Sequence, residues 1–135
     1  MTRHVRDGLF VSLEDGTARL LGGRCRSCAR CQFPRAVVCP YCSAADCEPV
    51  ELGPSGTLWL FTAVLQAPPG YRGAVPFGFG VVDLAEGLRV IARLTEPDPT
   101  KLEVGRSMRL VSDVLYTDDA GADVRTYAFA PMDEA

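Results

Sequence analysis

Histidine and lysine are almost missing from this chain of 135 residues. His4 is its one histidine and Lys101 its one lysine, so nearly all positive charge is carried by arginine. His4 lies in a terminal stretch that we expect to be frayed. A cysteine or serine nucleophile needs a nearby general base, and no second histidine is present to serve as one. We therefore expect the chain to contribute no catalytic residue.

Long apolar runs are also missing. No stretch approaches the roughly 18 apolar residues that a membrane helix needs. Charged side chains interrupt residues 1–10 and no apolar core follows them, so no signal peptide is recognisable. We expect a cytoplasmic protein with no membrane partner, in a compartment where cysteines stay reduced.

Acidic residues are missing from residues 16–45. Residues 1–45 hold seven arginines against three acids, a net charge of +4, whereas residues 46–135 have a net charge of −7. An acidic main body disfavours nucleic-acid binding, which is driven by neutralisation of phosphates. The basic segment either meets a phosphorylated ligand or an acidic partner, or it only offsets the charge of a metal–thiolate cluster. Its five arginines within residues 16–45 are Arg19, Arg24, Arg26, Arg30 and Arg35.

The chain is rich in cysteine over a short span. Six cysteines lie between residues 25 and 47, and four of them form two Cys-x-x-Cys pairs. In a reducing compartment this spacing predicts a four-thiolate zinc site rather than disulfides. With four thiolates the zinc would have no open position, so it would be structural. The predicted metal ligands are Cys25, Cys28, Cys39 and Cys42.

Cys31 and Cys47 are then left over. Cys31 also follows Cys28 by three residues, so a Cys28/Cys31 half-site is an alternative. We disfavour it because Cys31 is followed by Gln32-Phe33-Pro34, which is typical of strand entry. The two spare thiols are expected to be small, buried or half-buried apolar side chains.

The remaining sequence favours strands, and no segment shows a convincing helical period. Residues 8–23 predict a hairpin with a turn at Glu14-Asp15-Gly16. Five strands with one long loop fit a small closed barrel of the OB-fold type. We predict a mostly β protein, with a hairpin and zinc ribbon at residues 1–48 and an OB-fold domain at residues 49–135. The five predicted barrel strands are Thr57–Leu65, Phe77–Leu84, Leu88–Leu94, Ser107–Tyr116 and Val124–Ala130.

The segment 67–80 is the best candidate for ligand contact. Long ordered loops in small domains are often functional. This one sets an arginine among aromatic rings, which suits an extended and partly polar ligand. Its candidate residues are Tyr71, Arg72, Phe77 and Phe79. The alternative is that the two phenylalanines pack the barrel while Tyr71 and Arg72 lie on its rim.

The order of these motifs resembles a known family, the small zinc-ribbon plus OB-fold proteins that accompany thiolase-like enzymes in acyl-CoA metabolism. Two departures stand out: the family usually has glycine where this chain has Ala29, and Phe-Pro-Pro-Arg where this chain has Phe33-Pro34-Arg35-Ala36. The matching residues are Gly23 to Cys28, Phe33-Pro34, Val38 to Cys42, Gly56-Thr57-Leu58, Pro76 to Leu84, Glu86-Gly87, Leu94 and Leu102 to Gly105.

The resemblance implies a rubredoxin-like zinc ribbon and a non-catalytic subunit that binds a thiolase or thiolase-like aldolase and helps to hold a CoA thioester. The partner would supply the nucleophilic cysteine. Arg26 and Arg30 of the ribbon would join the 67–80 loop in meeting the CoA ester or the partner. Within the family the chain resembles the small subunit of benzoylsuccinyl-CoA thiolase. A nucleic-acid-binding ribbon and barrel, and a scaffold that binds only protein, remain as alternatives.

Overall fold

The computed structural model describes residues 2–132, which form ten strands and one short 3-10 turn at Pro99–Lys101. The predicted mostly β architecture is confirmed. All five predicted barrel strands are present, each end within two residues of the prediction. The strands are β1 (Thr2–His4), β2 (Phe10–Ser12), β3 (Ala18–Cys25), β4 (Cys31–Gln32), β5 (Cys47–Leu52), β6 (Ser55–Val64), β7 (Phe77–Leu84), β8 (Arg89–Leu94), β9 (Ser107–Thr117) and β10 (Asp123–Pro131).

Strands β6 to β10 close into a five-stranded barrel. β6 pairs antiparallel with β7, and β7 pairs antiparallel with β8. β8 runs parallel to β10, which pairs antiparallel with β9. β9 returns to the first residues of β6 and so completes the ring. This strand order is that of the OB-fold, as the sequence predicts.

Alternating side chains fill the barrel. In β8, Val90, Ala92 and Leu94 are buried while Ile91 points outward and is 61% exposed. Gly80 of β7 allows the close approach of β6, because a Cβ there would lie 2.4 Å from the carbonyl oxygen of Leu60. The pattern of every second residue is what a half-buried strand requires.

The predicted hairpin forms from β2 and β3, and it belongs to the barrel core as well as to the ribbon. Phe10 of β2 and Leu20 of β3 pack in one cluster with the barrel residue Leu110. β3 continues to Cys25, and β5 pairs with it from Cys47 to Leu52. β5 therefore starts in the ribbon and ends in the common core. A division of the chain at residues 48 and 49 stays a proposal.

The N-terminal stretch is not frayed, contrary to our expectation. β1 pairs in parallel with β10 from Thr2 to His4. The imidazole of His4 stacks on the ring of Phe10 with a centroid distance of 4.0 Å, and its Nε2 lies 3.3 Å from the hydroxyl of Ser12. The pairing partner Asp123 is far along the sequence, so no local pattern pointed to this strand.

The one helical turn within residues 2–132 is short and capped. Asp98 accepts hydrogen bonds from the amide and the hydroxyl of Thr100, at 2.9 and 2.7 Å. An N-cap of this kind fixes the turn after Pro97. None of the described residues forms a helix with the length and hydropathy that a bilayer crossing requires.

Candidate functional site

The four predicted zinc ligands lie together. The sulfur atoms of Cys25, Cys28, Cys39 and Cys42 all lie within 4.8 Å of one another. The Cys25 and Cys42 sulfurs are 3.5 Å apart, and those of Cys28 and Cys39 are 3.7 Å apart. Zinc–sulfur bonds of about 2.3 Å place the sulfurs of a tetrahedral site about 3.8 Å apart. The cluster therefore fits a zinc ion with four thiolate ligands.

Two similar turns present these sulfurs. The amide of Ala29 donates to the carbonyl of Cys25 at 2.8 Å, and the amide of Ser43 donates to that of Cys39 at 2.9 Å. Ala29 and Ser43 both have positive φ, at 66° and 67°. This left-handed conformation favours glycine, which explains the family's usual residue at the position of Ala29.

Backbone amides also favour the charged form of the sulfurs. The amide of Cys28 points to the sulfur of Cys25 at 3.5 Å, and that of Tyr41 points to the sulfur of Cys39 at 3.4 Å. The hydrogen bond from Cys28 is the main cause that lowers the pKa of the Cys25 thiol to about 7. Thiolates are the form that binds zinc, so the amide of Cys28 favours metal binding at Cys25. At Cys42 the amide of Ala44 also lowers the thiol pKa, but hydrogen bonds with the other three sulfurs, first that of Cys25, together with burial raise this pKa to about 12.

The two spare cysteines lie outside the four-sulfur cluster. Cys31 is half-buried in β4, opposite Arg24 of β3. Cys47 is buried, and burial is the main cause that raises the pKa of its thiol. The buried amide of Gln32 donates to the Cys47 sulfur at 3.2 Å and accepts from the amide of Ala36. Gln32 thus connects β5 to the segment between the two halves of the zinc site.

The ribbon arginines contact their own module. Arg26, which is exposed, forms ion pairs with exposed Asp46 at 2.9 Å and with half-buried Glu48 at 3.4 Å. The guanidinium of Arg30 lies 5.1 Å from the ring centre of Tyr41. Asp46 and Glu48 are the first acids after the acid-free stretch, and their carboxylates pair with the positive charge of Arg26.

Arg30 also lies at a cleft between ribbon and barrel. The cleft has a volume of about 350 Å³ and is lined by polar and small residues. Arg30 and Tyr41 stand on its ribbon side, and Glu86 and Gly87, from the turn between β7 and β8, stand on its barrel side. The ribbon and barrel therefore share one concave surface beside the zinc cluster.

The 67–80 loop is folded against the outside of the barrel. The ring of Tyr71 stacks on that of Phe77 at 4.7 Å. Its hydroxyl donates to the carbonyl of Ala74 at 2.9 Å and accepts from Arg93 of β8 at 2.7 Å. Arg93 in turn lies 3.5 Å from Asp113 of β9. These contacts hold Tyr71 in place without burying Phe79, which is 39% exposed.

Arg72 connects this loop to the turn between β9 and β10. It donates to Asp119 at 3.1 Å, and its guanidinium lies 4.7 Å from the ring centre of Tyr116. In OB-folds the second and third strands and the two loops beside them form the ligand-binding face. Tyr71, Arg72 and Phe79 lie in that region, whereas Arg26 and Arg30 lie on the ribbon. The structure thus places the predicted residues in two groups.

An exposed apolar face surrounds Phe79. Leu60, Val81 and Ile91 are paired across β6, β7 and β8, and Leu60 and Ile91 are 51% and 61% exposed. Trp59 lies under the guanidinium of Arg89 at 3.7 Å from its ring centre. We call Trp59, Leu60, Phe79, Val81 and Ile91 the barrel face.

Sequence reasoning missed part of this surface. It predicted the strand Leu88–Leu94 but did not single out Ile91, which lies between Arg89 and Arg93 on the outer side of β8. The alternation of β8 contained the signal, because the outward position between two arginines is held by a large apolar residue. The contact between Arg93 and Tyr71 joins positions 22 apart and had no local signal.

Comparisons with known proteins agree with this architecture. Residues 17–48 match the family model described as "ChsH2, rubredoxin-like zinc ribbon domain", and residues 49–113 match "ChsH2, C-terminal OB-fold domain". The chain is 31% identical over 122 residues to "Benzoylsuccinyl-CoA thiolase subunit BbsA" of Thauera aromatica, covering 90% of this chain and 83% of that protein. It is 29% identical over 115 residues to a "DUF35 domain-containing scaffold protein" of Pyrococcus furiosus, covering 84% of each.

A solved structure supports the same assignment. The chain named "Ltp2-ChsH2(DUF35) aldolase" superposes with a TM-score of 0.63 at 27% identity, and 84% of each chain is covered. Ribbon, barrel and their order along the chain thus agree in sequence and in structure. The four-cysteine cluster lies within the segment that matches the zinc-ribbon model, which supports a structural zinc. The chain belongs to the ChsH2 family of zinc-ribbon and OB-fold proteins.

Proposed function

We propose that the chain is a non-catalytic accessory subunit of a thiolase or thiolase-like aldolase that acts on acyl-CoA thioesters. The observation that carries this proposal is its similarity, over most of its length, to a named thiolase subunit and to a chain of an aldolase complex. The barrel face supports it, because exposed apolar residues in register on three strands favour contact with another protein. The catalytic partner supplies the reacting groups.

CoA-ester binding is the finer part of the proposal. CoA carries phosphates and an adenine ring, which are bound well by arginines beside aromatic rings. Arg72 lies on Tyr116 and follows Tyr71 in the 67–80 loop, and Arg30 lies on Tyr41 at the cleft beside the zinc ribbon. Arg26 joins them only by exchanging its contacts with Asp46 or Glu48 for a ligand phosphate. We assign the ligand contacts to Tyr71, Arg72, Phe77, Phe79, Arg26 and Arg30.

Zinc has a structural part in this proposal. Bound to Cys25, Cys28, Cys39 and Cys42, it would hold the two turns of the ribbon together and offer no open coordination position. The ribbon would then present Arg30 and Tyr41 at a fixed position beside the barrel. The expected location in the cytoplasm belongs to the same proposal.

The test is purification of the tagged, full-length chain from its own host. We expect a thiolase-like protein to co-purify in a fixed ratio, and CoA ester added to the complex to give a saturable calorimetric signal. A lone monomer with no response to CoA ester would contradict the proposal.

Variants separate the two parts of the proposal. Arg72→Ala and Arg30→Ala each remove a charged hydrogen-bond donor, so we expect about tenfold weaker CoA-ester binding with assembly retained. Arg109→Ala is the matched control, because Arg109 is an exposed arginine of β9 outside both groups. Equal CoA-ester affinity in Arg72→Ala, Arg30→Ala and the control Arg109→Ala would contradict CoA recognition by this chain.

A protein-only scaffold is the second candidate, favoured by the name of the Pyrococcus furiosus relative. In that case Tyr71→Ala and Phe77→Ala would reduce assembly with the catalytic partner. Turnover would then fall only as much as assembly falls. A CoA-binding subunit would keep assembly and lose turnover.

Nucleic acid stays the disfavoured alternative, since residues 46–135 carry a net charge of −7. A salt-dependent mobility shift with single-stranded DNA near physiological salt would revive it.

A further inference from the structure

Strand β6 has one edge without a β partner for half of its length. β6 pairs with β7 from Gly56 to Val64, but with β9 only from Ser55 to Thr57. Leu58 makes the last contacts on the β9 side, donating to the carbonyl of Arg106 at 2.9 Å and accepting from the amide of Gly105 at 2.8 Å. Residues 60–64 pair only with β7 within residues 2–132.

The open edge lacks the usual protection of edge strands. Proteins commonly place lysine, proline or an inward charge on such an edge to prevent pairing with other chains. Residues 60–64 read Leu-Phe-Thr-Ala-Val, and no charged residue lies between Glu51 and Arg72. The backbone groups on this edge are therefore presented by an uncharged, β-prone segment that favours pairing with another strand.

A groove runs beside this edge. It has a volume of about 530 Å³ and is mostly apolar. It is lined by Phe61, Thr62, Ala63 and Leu65 in and just after β6, by Pro76 just before β7, and by Pro97, Asp98 and Pro99 at the 3-10 turn. Leu65 is 72% exposed at the end of the groove. The groove offers a place for alternate side chains of an extended segment, as strand addition requires.

The charges around the groove decide between possible occupants. Asp98 is the one charged residue of its lining. The hydrogen bonds from the hydroxyl and amide of Thr100 lower the pKa of the Asp98 carboxyl, so it is ionised at neutral pH. A second copy would bring another acidic barrel, because residues 46–135 carry a net charge of −7. Charge complementarity therefore favours a partner segment that carries a cation.

We propose that residues 60–64 of β6 accept an extended segment of the catalytic subunit as an added β-strand, in which apolar residues alternate with polar ones and a lysine or arginine faces Asp98. The inference rests on the proposed accessory role and adds the kind of contact through which the partner is held. Main-chain hydrogen bonds to the open edge provide affinity, and the groove and Asp98 provide specificity.

The experiment is hydrogen–deuterium exchange on the full-length chain, alone and in complex with the thiolase-like protein that co-purifies with it. In the isolated chain we expect alternate amides of residues 60–64 to exchange rapidly, since only one edge is paired. In the complex we expect those amides to become protected at least tenfold. Protection confined to Phe79, Val81 and Ile91 of the barrel face, with residues 60–64 unchanged, would overturn the inference and leave the accessory role standing.

Two variants test the chemistry of the groove. Leu65→Asp adds a second negative charge and removes an apolar contact, so we expect at least tenfold weaker assembly. Its matched control is Val104→Asp, at a 57% exposed position outside the groove and the barrel face. Asp98→Asn keeps a good N-cap and removes the charge, so a smaller loss is expected, with Glu103→Gln as its control.

The remaining outcomes are also decisive. Equal assembly of Leu65→Asp and Val104→Asp would overturn the inference. If amide protection of residues 60–64 in the isolated chain rises with protein concentration, the edge pairs with a second copy. That result would overturn the proposal that a segment of the catalytic subunit occupies it. Failure of any catalytic subunit to co-purify would overturn both the accessory role and this inference.

Discussion

The ribbon and the barrel are two small β structures that are stabilised in different ways. In the ribbon the buried cluster consists of Cys25, Cys39 and Cys47, while Val37 and Val38 are 75% and 51% exposed. In the common core of barrel and hairpin the buried residues are leucines, valines, two alanines, two phenylalanines and a methionine. The ribbon therefore offers four clustered thiols for a metal and little apolar burial, whereas the barrel is stabilised by apolar burial.

One strand, β3, runs through both regions. Ala18 and Leu20 of β3 are fully buried in the barrel core, and Cys25 at the end of the same strand is a predicted zinc ligand. The boundary between metal-dependent and metal-independent structure should thus fall inside β3 rather than in a linker. Four predictions test how sharp that boundary is.

Removal of the metal should have the largest effect. Chelation of zinc, or Cys39→Ser, should unfold residues 24–47 because the four sulfurs lose their common ligand. Strands β6 to β10 should keep their amide protection, measured by hydrogen exchange with zinc quantified in parallel. Cys31→Ser is the control, since Cys31 lies outside the cluster. An unchanged far-UV spectrum after zinc removal would contradict the structural role of the metal.

A cavity in the barrel should come next. Leu110→Ala removes a fully buried side chain from the common core and should cost about 2–5 kcal/mol of unfolding free energy. Urea unfolding of the zinc-loaded protein measures the loss, and Val104→Ala at an exposed site is the control. We expect the loss to persist in zinc-free protein, because the barrel core does not need the metal. A loss seen only with zinc bound would show that the two regions unfold as one.

A glycine in the first zinc turn should be stabilising. Ala29 has φ of 66°, and relief of its left-handed conformation by Ala29→Gly should gain roughly 1 kcal/mol after the entropy cost of glycine. The gain should appear as tighter zinc binding in a competition titration. Ala45→Gly, where φ is not positive, should lose stability instead. Equal effects at both sites would mean that backbone strain is not what distinguishes Ala29.

The smallest effect should come from a carboxylate of the barrel. Hydrogen bonds from the amide of Ala122, and then from Arg3, lower the pKa of Asp118. Because the folded pKa is depressed, Asp118 contributes stability above its ordinary pKa of 3.8, and this contribution is lost as the pH falls through the folded value. Asp118→Asn should lower the urea midpoint at pH 7, and the difference from wild type should shrink towards pH 3. A constant difference would exclude the ionised carboxylate as the cause.

The predictable parts of the fold are those set by residues that lie close together in the sequence. Two Cys-x-x-Cys pairs predicted the four cysteines that the structure brings together, and β-prone runs predicted the five barrel strands. The pairing of β1 with β10 and the contact of Arg93 with Tyr71 depend on strand register between distant segments. The open edge of β6 was not predictable for the same reason, since it follows from where β9 stops pairing.

The continuity of β3 also gives zinc affinity and the packing of the shared strand a route by which they can be linked. If zinc binding tightens the packing of Leu20 through β3, then a substitution that loosens this packing weakens zinc binding by the coupling free energy between the two. A zinc titration would then measure strain introduced anywhere along that strand. A partner that stabilises the barrel would raise the zinc affinity of the ribbon without contacting any cysteine.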